Sequence, residues 1–313
     1  MNKLILNISP HIFSPVDTRK MMKGVIKALI PVICASLYFF RVQAFILISV
    51  TVFSCVLTEY LLQKLRGKEI KIRDFSAVVT GLLLALVLPP AIPLWMAVVG
   101  GIFAIALGKE IFGGLGLNIF NPALLARAFL MAAFPVALTT WTNPVGVDAV
   151  TRATPLALAK FDNIITPHAV LFWGKISGSL GETSAAALLL GLGYLLFRKI
   201  IDYRIPAAYI TTVVVVSFIS GLFVSANSLS PLFHILSGGL LLGAVFMATD
   251  PATSPITSKG RWIFGVGCGL VTMTIRLKGA LPEGVMFSIL FMNAVTPLIN
   301  RFSRPRRFGG KNG

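Results

Sequence analysis

Ten apolar segments, set apart by clusters of turn-forming or charged residues, limit what this chain can become. They lie near 23–40, 42–62, 75–89, 93–108, 121–138, 184–197, 207–223, 231–249, 261–275 and 283–300. A helix needs about 20 apolar residues to cross hydrocarbon, and several segments fall short of that length. The short ones are rich in Gly and Pro, which predicts broken or re-entrant helices whose backbone is sheltered by protein. Composition points the same way: of 313 residues, 56% are hydrophobic and 12% charged. A soluble domain carries roughly 25% charge, so lipid is the solvent for much of this surface. Soluble enzymes and disordered chains are thereby excluded, and the expected fold is an all-α polytopic membrane protein.

The net charge of +17 would suggest nucleic acid in a soluble chain, but here it has another origin, because inside loops of membrane proteins collect Lys and Arg. Assigning alternate loops to opposite sides puts twenty basic residues on one side, from Lys3, Arg19, Lys20 and Lys23 through Lys64–Arg73, Lys109, Arg198–Arg204, Lys259 and Arg261 to the tail 301–311. The other side receives six: Arg41, Arg152, Lys160, Lys175, Arg276 and Lys278. Lys27 and Arg127 fall inside spans. Both termini are therefore expected on the cytoplasmic side, with membrane lipid as a partner and nucleic acid not. The start, MNKLILNISPHIF, lacks the pattern of a cleaved signal peptide, so the first span is expected to direct insertion.

Ten spans divide into two fives, and an odd number per half inverts the second half in the membrane. The expected organisation is a cytoplasmic segment 1–22, a first five-helix half 23–138, an extracytoplasmic loop 139–183, a second half 184–300 and a basic cytoplasmic tail 301–313. A faint internal repeat accompanies it. Gly81-Leu82-Leu83-Leu84 matches Gly239-Leu240-Leu241-Leu242, and Trp95 precedes Gly100 as Trp262 precedes Gly267. The cysteines Cys34, Cys55 and Cys268 sit in apolar runs without metal-ligand spacing and read as buried small hydrophobes. His11, His168 and His234 likewise share no ligand spacing.

The connection 139–183 holds the most informative motif, Asp148-Ala149-Val150-Thr151-Arg152-Ala153-Thr154-Pro155-Leu156. Pro155 biases Thr154 to an extended, sterically open backbone, where a modifying enzyme could reach its hydroxyl. Gly113-Gly114-Leu115-Gly116-Leu117-Asn118-Ile119-Phe120-Asn121-Pro122-Ala123 is a glycine-rich entry to a helix, with Asn121 as cap and Pro122 in the first turn. Its amides suit an anion or a flavin carbonyl, or it is simply a tight turn. Thr249-Asp250-Pro251-Ala252-Thr253-Ser254-Pro255 offers hydroxyls and one carboxylate at the end of the eighth segment. This is either an oxygen-rich ion path or an ordinary helix stop. Glu59, a turn from the end of its span, is expected to snorkel, and Arg127 to support a cofactor or pair with Glu110.

These residues resemble a family. Asp-x-x-Thr-x-Ala-Thr after five spans looks like the flavinylation motif of the D subunit of the Rnf ion-translocating ferredoxin:NAD oxidoreductase, and of the related B subunit of the sodium-pumping NADH:quinone reductase. Ser9-Pro10-His11, the Gly113–Ala123 run and Thr249-Asp250-Pro251 extend the likeness over nearly the whole chain. Length and Thr154-Pro155-Leu156 favour the Rnf subunit. The resemblance implies FMN joined through its phosphate to Thr154 by a flavin transferase, with Asp148, Thr151, Arg152 and Ala153 completing the attachment motif. Arg152 departs from the family, which more often has a small residue there; it would hinder the transferase or pair with the phosphate. Also implied are a second, non-covalent flavin (riboflavin or FMN), to which Gly113, Gly114, Asn118, Asn121 and Arg127 are assigned, and passage of Na+ or H+ near Thr249, Asp250 and Thr253. The expected partners are the A, B, C, E and G subunits of such a complex, because the chain has no nicotinamide fingerprint, iron-sulfur cysteine set or nucleotide loop. A quinone-reductase B subunit is one rival, and a flavin-free inverted-repeat channel or carrier is another.

Overall fold

A computed structural model describes residues 17–142, 153–223 and 229–304, and among these the secondary structure is helical throughout. The first element, α1 (Thr18–Leu65), is 48 residues long. Straight, it would span about 72 Å. Arg41, with φ 49° and ψ −124°, breaks it, and Thr18 and Gln63 line one cleft, so the arms 18–40 and 42–65 run antiparallel. A short 3₁₀ turn, Ile72–Asp74, leads into α2 (Ser76–Val87). There follow α3 (Leu94–Ile105), continued by a π-helical turn Ala106–Glu110, α4 (Pro122–Ala133) and α5 (Pro135–Thr139). Two short helices, α6 (Pro155–Phe161) and α7 (His168–Trp173), precede α8 (Ala185–Phe197) and α9 (Arg204–Phe223). The eighth apolar segment is broken into α10 (Pro231–Leu236) and α11 (Leu240–Leu242) with a π-helical turn Gly243–Met247. The chain closes with α12 (Ser258–Lys278) and α13 (Val285–Phe302).

Helix is thus found within every one of the ten apolar segments. By length and composition, three of these helices can cross a membrane: α1, α9 over Arg204–Leu222, and α13. Large apolar side chains such as Phe53, Leu190, Phe218 and Phe291 stand exposed on the outer faces, which water would not tolerate on this scale. Cys34 joins that exposed face, whereas Cys55 and Cys268 are buried, so the expectation of three buried cysteines holds for two.

Small residues bring the helices together, as they do where lipid offers no hydrophobic drive. In α3, Gly100 meets Leu130 of α4, and Gly101 meets Ser54 on the second arm of α1. In α12, Gly267 meets Met292 of α13, while Gly265 and Gly269 meet Ala208 and Thr212 of α9. The fourth and ninth segments therefore use glycines to pack against the next helix on one face and the helix two before on the other. The two Gly-Leu-Leu-Leu runs differ in position: Gly81 lies inside α2 against the Val52 backbone, and Gly239 is the residue before α11.

The connection after α5 departs from an open loop. Beyond α7, Gly174 turns with φ 99°, and the chain enters the bundle. Gly181 N donates to Leu86 O at 2.7 Å and Leu180 N to Leu88 O at 3.3 Å, satisfying carbonyls at the end of α2. Ser36 Oγ on the first arm of α1 donates to Leu180 O at 2.7 Å. The polar letters of Ser177–Thr183 look like solvent-facing loop in the sequence, yet every one of these residues is buried in the bundle, which pairs much of their backbone.

Candidate functional site

Two polar segments far apart in sequence converge at the end of the bundle that carries Lys20, Arg66, Lys199 and Arg261. The π-helical turn after α3 runs into the glycine-rich connection, and Asn121 then caps α4. Its Oδ1 accepts from Ala123 N at 3.1 Å and Leu124 N at 3.3 Å, while Nδ2 donates to Met247 O at 3.3 Å. With its amide turned to satisfy both ends, Asn293 of α13 accepts from Asn121 N at 3.1 Å. One cap residue thus ties the first half to the second. Opposite lies Asp250, whose Oδ1 accepts from Ala252 N at 3.2 Å and Oδ2 from Thr253 Oγ1 at 3.3 Å. Thr249 Oγ1 is turned back onto Val245 O. Between them is a small cavity of about 70 Å³, lined by Asn118, Asn121, Thr249 and Asp250 together with Thr80, Lys109, Phe246 and Met22. That mix of apolar walls with a few polar groups is the lining a small-molecule site uses, although the cavity itself is smaller than such sites usually are. A neighbouring cleft continues from Asn118 and Asp250 to Thr253, Asn293 and Asn300.

The residues assigned to a second flavin do not all meet. Asn118 and Asn121 line the cavity; Gly113 and Gly114 line a separate cleft with Thr18, Glu59, Gln63 and Glu110. Arg127 belongs to neither. It does not pair with Glu110, whose carboxylate instead accepts from Gln63 Nε2 at 3.2 Å and whose backbone carbonyl accepts from Arg66. Arg127 points into the interior, 2.9 Å from Glu283 and 3.8 Å from Glu182. Glu59 does not snorkel. It is buried and accepts from Lys109 Nζ at 2.7 Å, and Lys109 also reaches Ser76 Oγ. The sequence placed Lys109 in a loop; the π-helical turn swings it inward.

At the opposite end, Thr154 has the extended backbone its proline dictates, φ −65° and ψ 155°, and caps α6 by accepting from Ala157 N at 3.3 Å. Its side chain is not open to solvent: Thr154 is 3% exposed. The reason is the docking of α6. Leu156 packs on Gly238, where a Cβ would collide with Leu156 Cδ1. Lys160 donates to the carbonyls of Ile275, Gly279 and Leu281, clamping α6 across the end of α12. Burial lowers the Lys160 amine from its usual value. Ala153 is exposed, and Asp148, Thr151 and Arg152 lie outside the described residues.

Below α6 the eighth segment breaks at Ser237–Gly239, with Gly238 at φ 66° and Gly239 at φ 64°. Arg276 of α12 holds the break: Nη1 donates to His234 O at 2.6 Å, and Nη2 to Ser237 O at 3.0 Å and Gly238 O at 3.2 Å. Sequence reasoning missed Arg276, Glu182 and Glu283, each placed in a polar connection or at its edge. The available signal was their position beside helix-breaking glycines: Glu182 follows Gly181, and Glu283 precedes Gly284.

The fold and these sites define an all-helical, multi-pass membrane protein with broken helices and a cavity where its two polar segments converge. Comparison with known proteins gives the family: the family model described as NQR2, RnfD, RnfE matches residues 5–309, and the chain belongs to that family. It is 47% identical to the D subunit of the Na+-translocating ferredoxin:NAD+ oxidoreductase complex of Acetobacterium woodii, over 99% of this chain and 97% of that one. It is 44% identical to the D subunit of the proton-translocating ferredoxin:NAD+ oxidoreductase complex of Clostridium ljungdahlii, over 98% and 97%. With the D subunit of the ion-translocating oxidoreductase complex of Escherichia coli the identity is 34%, over 97% and 98%.

Proposed function

We propose that this chain is the D-type membrane subunit of an Rnf-type complex that couples electron transfer between ferredoxin and NAD to translocation of Na+ or H+. The observation that carries the reading is the convergence of Asn118 and Asn121 with Thr249 and Asp250 around one cavity between the halves. A structural turn and an ordinary helix stop would have no reason to meet there. In this reading the ten apolar segments are ten spans in two inverted halves, supported by the matching glycine contacts of α3 and α12. The basic end faces the cytoplasm with both termini, and Thr154 faces the other side.

FMN is held on Thr154 through its phosphate, and a second flavin, riboflavin or FMN, occupies the cavity. The residues present fit both. Thr154 Oγ1 uses a lone pair for Ala157 N, a bond that an ester oxygen can still accept. Lys109 and Asn118 offer donors, Phe246, Met22 and Val79 offer apolar walls, and the adjoining cleft of about 570 Å³ that shares Asn118 and Asp250 supplies the room the small cavity lacks. Bound flavin supplies stepwise electron transfer; the chain supplies placement and electrostatics. Arg276 fixes the helix break under α6, Lys160 and Leu156 hold the attachment residue, and Asp250 with Thr253 lines an ion route. Because Thr154 is buried, the flavin transferase acts before α6 docks. The A, B, C, E and G subunits carry the ferredoxin and nicotinamide chemistry.

The test is in-gel fluorescence of the chain produced with its transferase. Yellow-green emission that stays with the denatured band and is lost in Thr154→Ala is expected. A dark wild-type band would favour the flavin-free carrier.

A further inference from the structure

None of the roles above uses Glu182. Its side chain is 3% exposed, and the residue follows Gly181, whose backbone is held between Leu86 of α2 and Leu242 of α11. Its Oε1 has no hydrogen-bond partner. The nearest cation, Arg127 Nη1, is 3.8 Å away, beyond hydrogen-bond reach. The same oxygen looks onto the break in the eighth segment, 2.6 Å from where a Cβ on Gly239 would stand. The other charges of the cluster are engaged. Arg127 of α4 makes its short contact, 2.9 Å, with Glu283 at the entrance of α13. Arg276 of α12 is committed to three carbonyls. His234 of α10, the remaining titratable group beside Arg276, is buried with Nδ1 unpartnered.

Ser179 serves the carboxylate, but an ionised carboxylate with one oxygen left bare in this setting is costly, and something must relieve it. A sodium ion would need several oxygen ligands in place of two guanidinium groups. A proton needs only one lone pair. We propose that Glu182 is a proton-binding site inside the membrane, taking a proton on its free oxygen while Arg127 stays with Glu283, and releasing it when Arg127 turns to Glu182. Only an O–H bond forms and breaks; the proton comes from and returns to water, and no electron moves at this site. Arg127 is the positioning residue that decides between the two states. The purpose of the site, though not the binding itself, rests on the ion-translocating reading.

The experiment is infrared difference spectroscopy of the purified complex as pH is raised, with wild type, Glu182→Gln and Glu283→Gln. The carbonyl stretch of a protonated carboxylic acid should be present in wild type, fade at alkaline pH, vanish in Glu182→Gln and persist in Glu283→Gln. In proteoliposomes, the ions moved per electron transferred should fall in Glu182→Gln, with denaturing-gel flavin fluorescence recording that the variant was made and loaded. An unchanged band in Glu182→Gln overturns the proposal, and an unchanged ion-to-electron ratio overturns the site's part in translocation. Should that variant fail to assemble, Glu182→Asp must shift the pH at which the band fades, and an unshifted titration overturns it equally. A wild type without flavin or ferredoxin activity would defeat the redox reading while the infrared result stood on its own.

Discussion

The Glu59–Lys109 pair offers a quantitative test of how the basic end is built. Their side chains are 1% and 2% exposed with Nζ 2.7 Å from Oε1. At an effective dielectric of about 20 the attraction is about 6 kcal/mol. Burial of each ion removes several kcal/mol of hydration, so the intact pair contributes little net stability. Removing one member leaves the other charged, buried and underserved: Lys109 would retain Ser76 alone, and Glu59 would retain only Gln63 Nε2 at 3.0 Å. Glu59→Gln and Lys109→Met should therefore each destabilise the protein by about 3–5 kcal/mol. The double variant, which places a neutral amide beside a thioether, should lose much less than the sum. Reversible unfolding in mixed detergent, run as a double-mutant cycle, reads the coupling. A single substitution costing under about 1 kcal/mol, or additive losses in the double variant, would refute the buried-pair reasoning.

Further outcomes follow from other contacts. Asp202 accepts from Arg204 and Arg261 in the α8–α9 connection; partial burial raises its carboxyl, but the Arg204 backbone amide and the two guanidinium groups outweigh that and hold it below the usual value. Its contribution is thus present above the unfolded carboxylate pKa of about 3.9 and lost as pH falls through the lower folded value. Asp202→Asn should cost less than about 1 kcal/mol at neutral pH and nothing in strong acid, as read by melting curves at both pH values. Asp250→Asn should impair ion movement in proteoliposomes more than flavin attachment; unaltered transport would take Asp250 out of the ion route. Lys160→Ala should loosen α6 and speed flavin attachment to chain that has folded without the transferase, and an unchanged rate would mean that docking does not guard Thr154. Thr154→Ala should also lose about 1 kcal/mol of helix capping.

Much of the architecture was legible in the sequence because apolar run length reports directly on membrane solvation. Arg41 between two apolar runs marked the turn inside α1, whereas the break at Gly238-Gly239 falls inside a segment, 231–249, that reads as one span. Asn121-Pro122 read correctly as a helix entry, since a side-chain cap and a first-turn proline act within four residues. Long-range pairing was not legible. Nothing local sends Arg127 to Glu283, 156 positions away, rather than to Glu110. Ser177–Thr183 reads as loop because polar letters look alike whether water or a bundle satisfies them. The burial of Thr154 depends on Leu156 finding Gly238, a contact between the 139–183 connection and the eighth segment that no window along the chain contains.

Whether Thr154 carries a redox cofactor by an ester bond is tested most directly by intact-mass spectrometry of the chain made beside its flavin transferase, with Thr154→Ala as the paired sample. The wild-type chain should be heavier than its sequence mass by one FMN less a water, and the variant should have its bare sequence mass. A bare wild-type chain, or the same added mass on the variant, would contradict the ester linkage and the electron relay built on it.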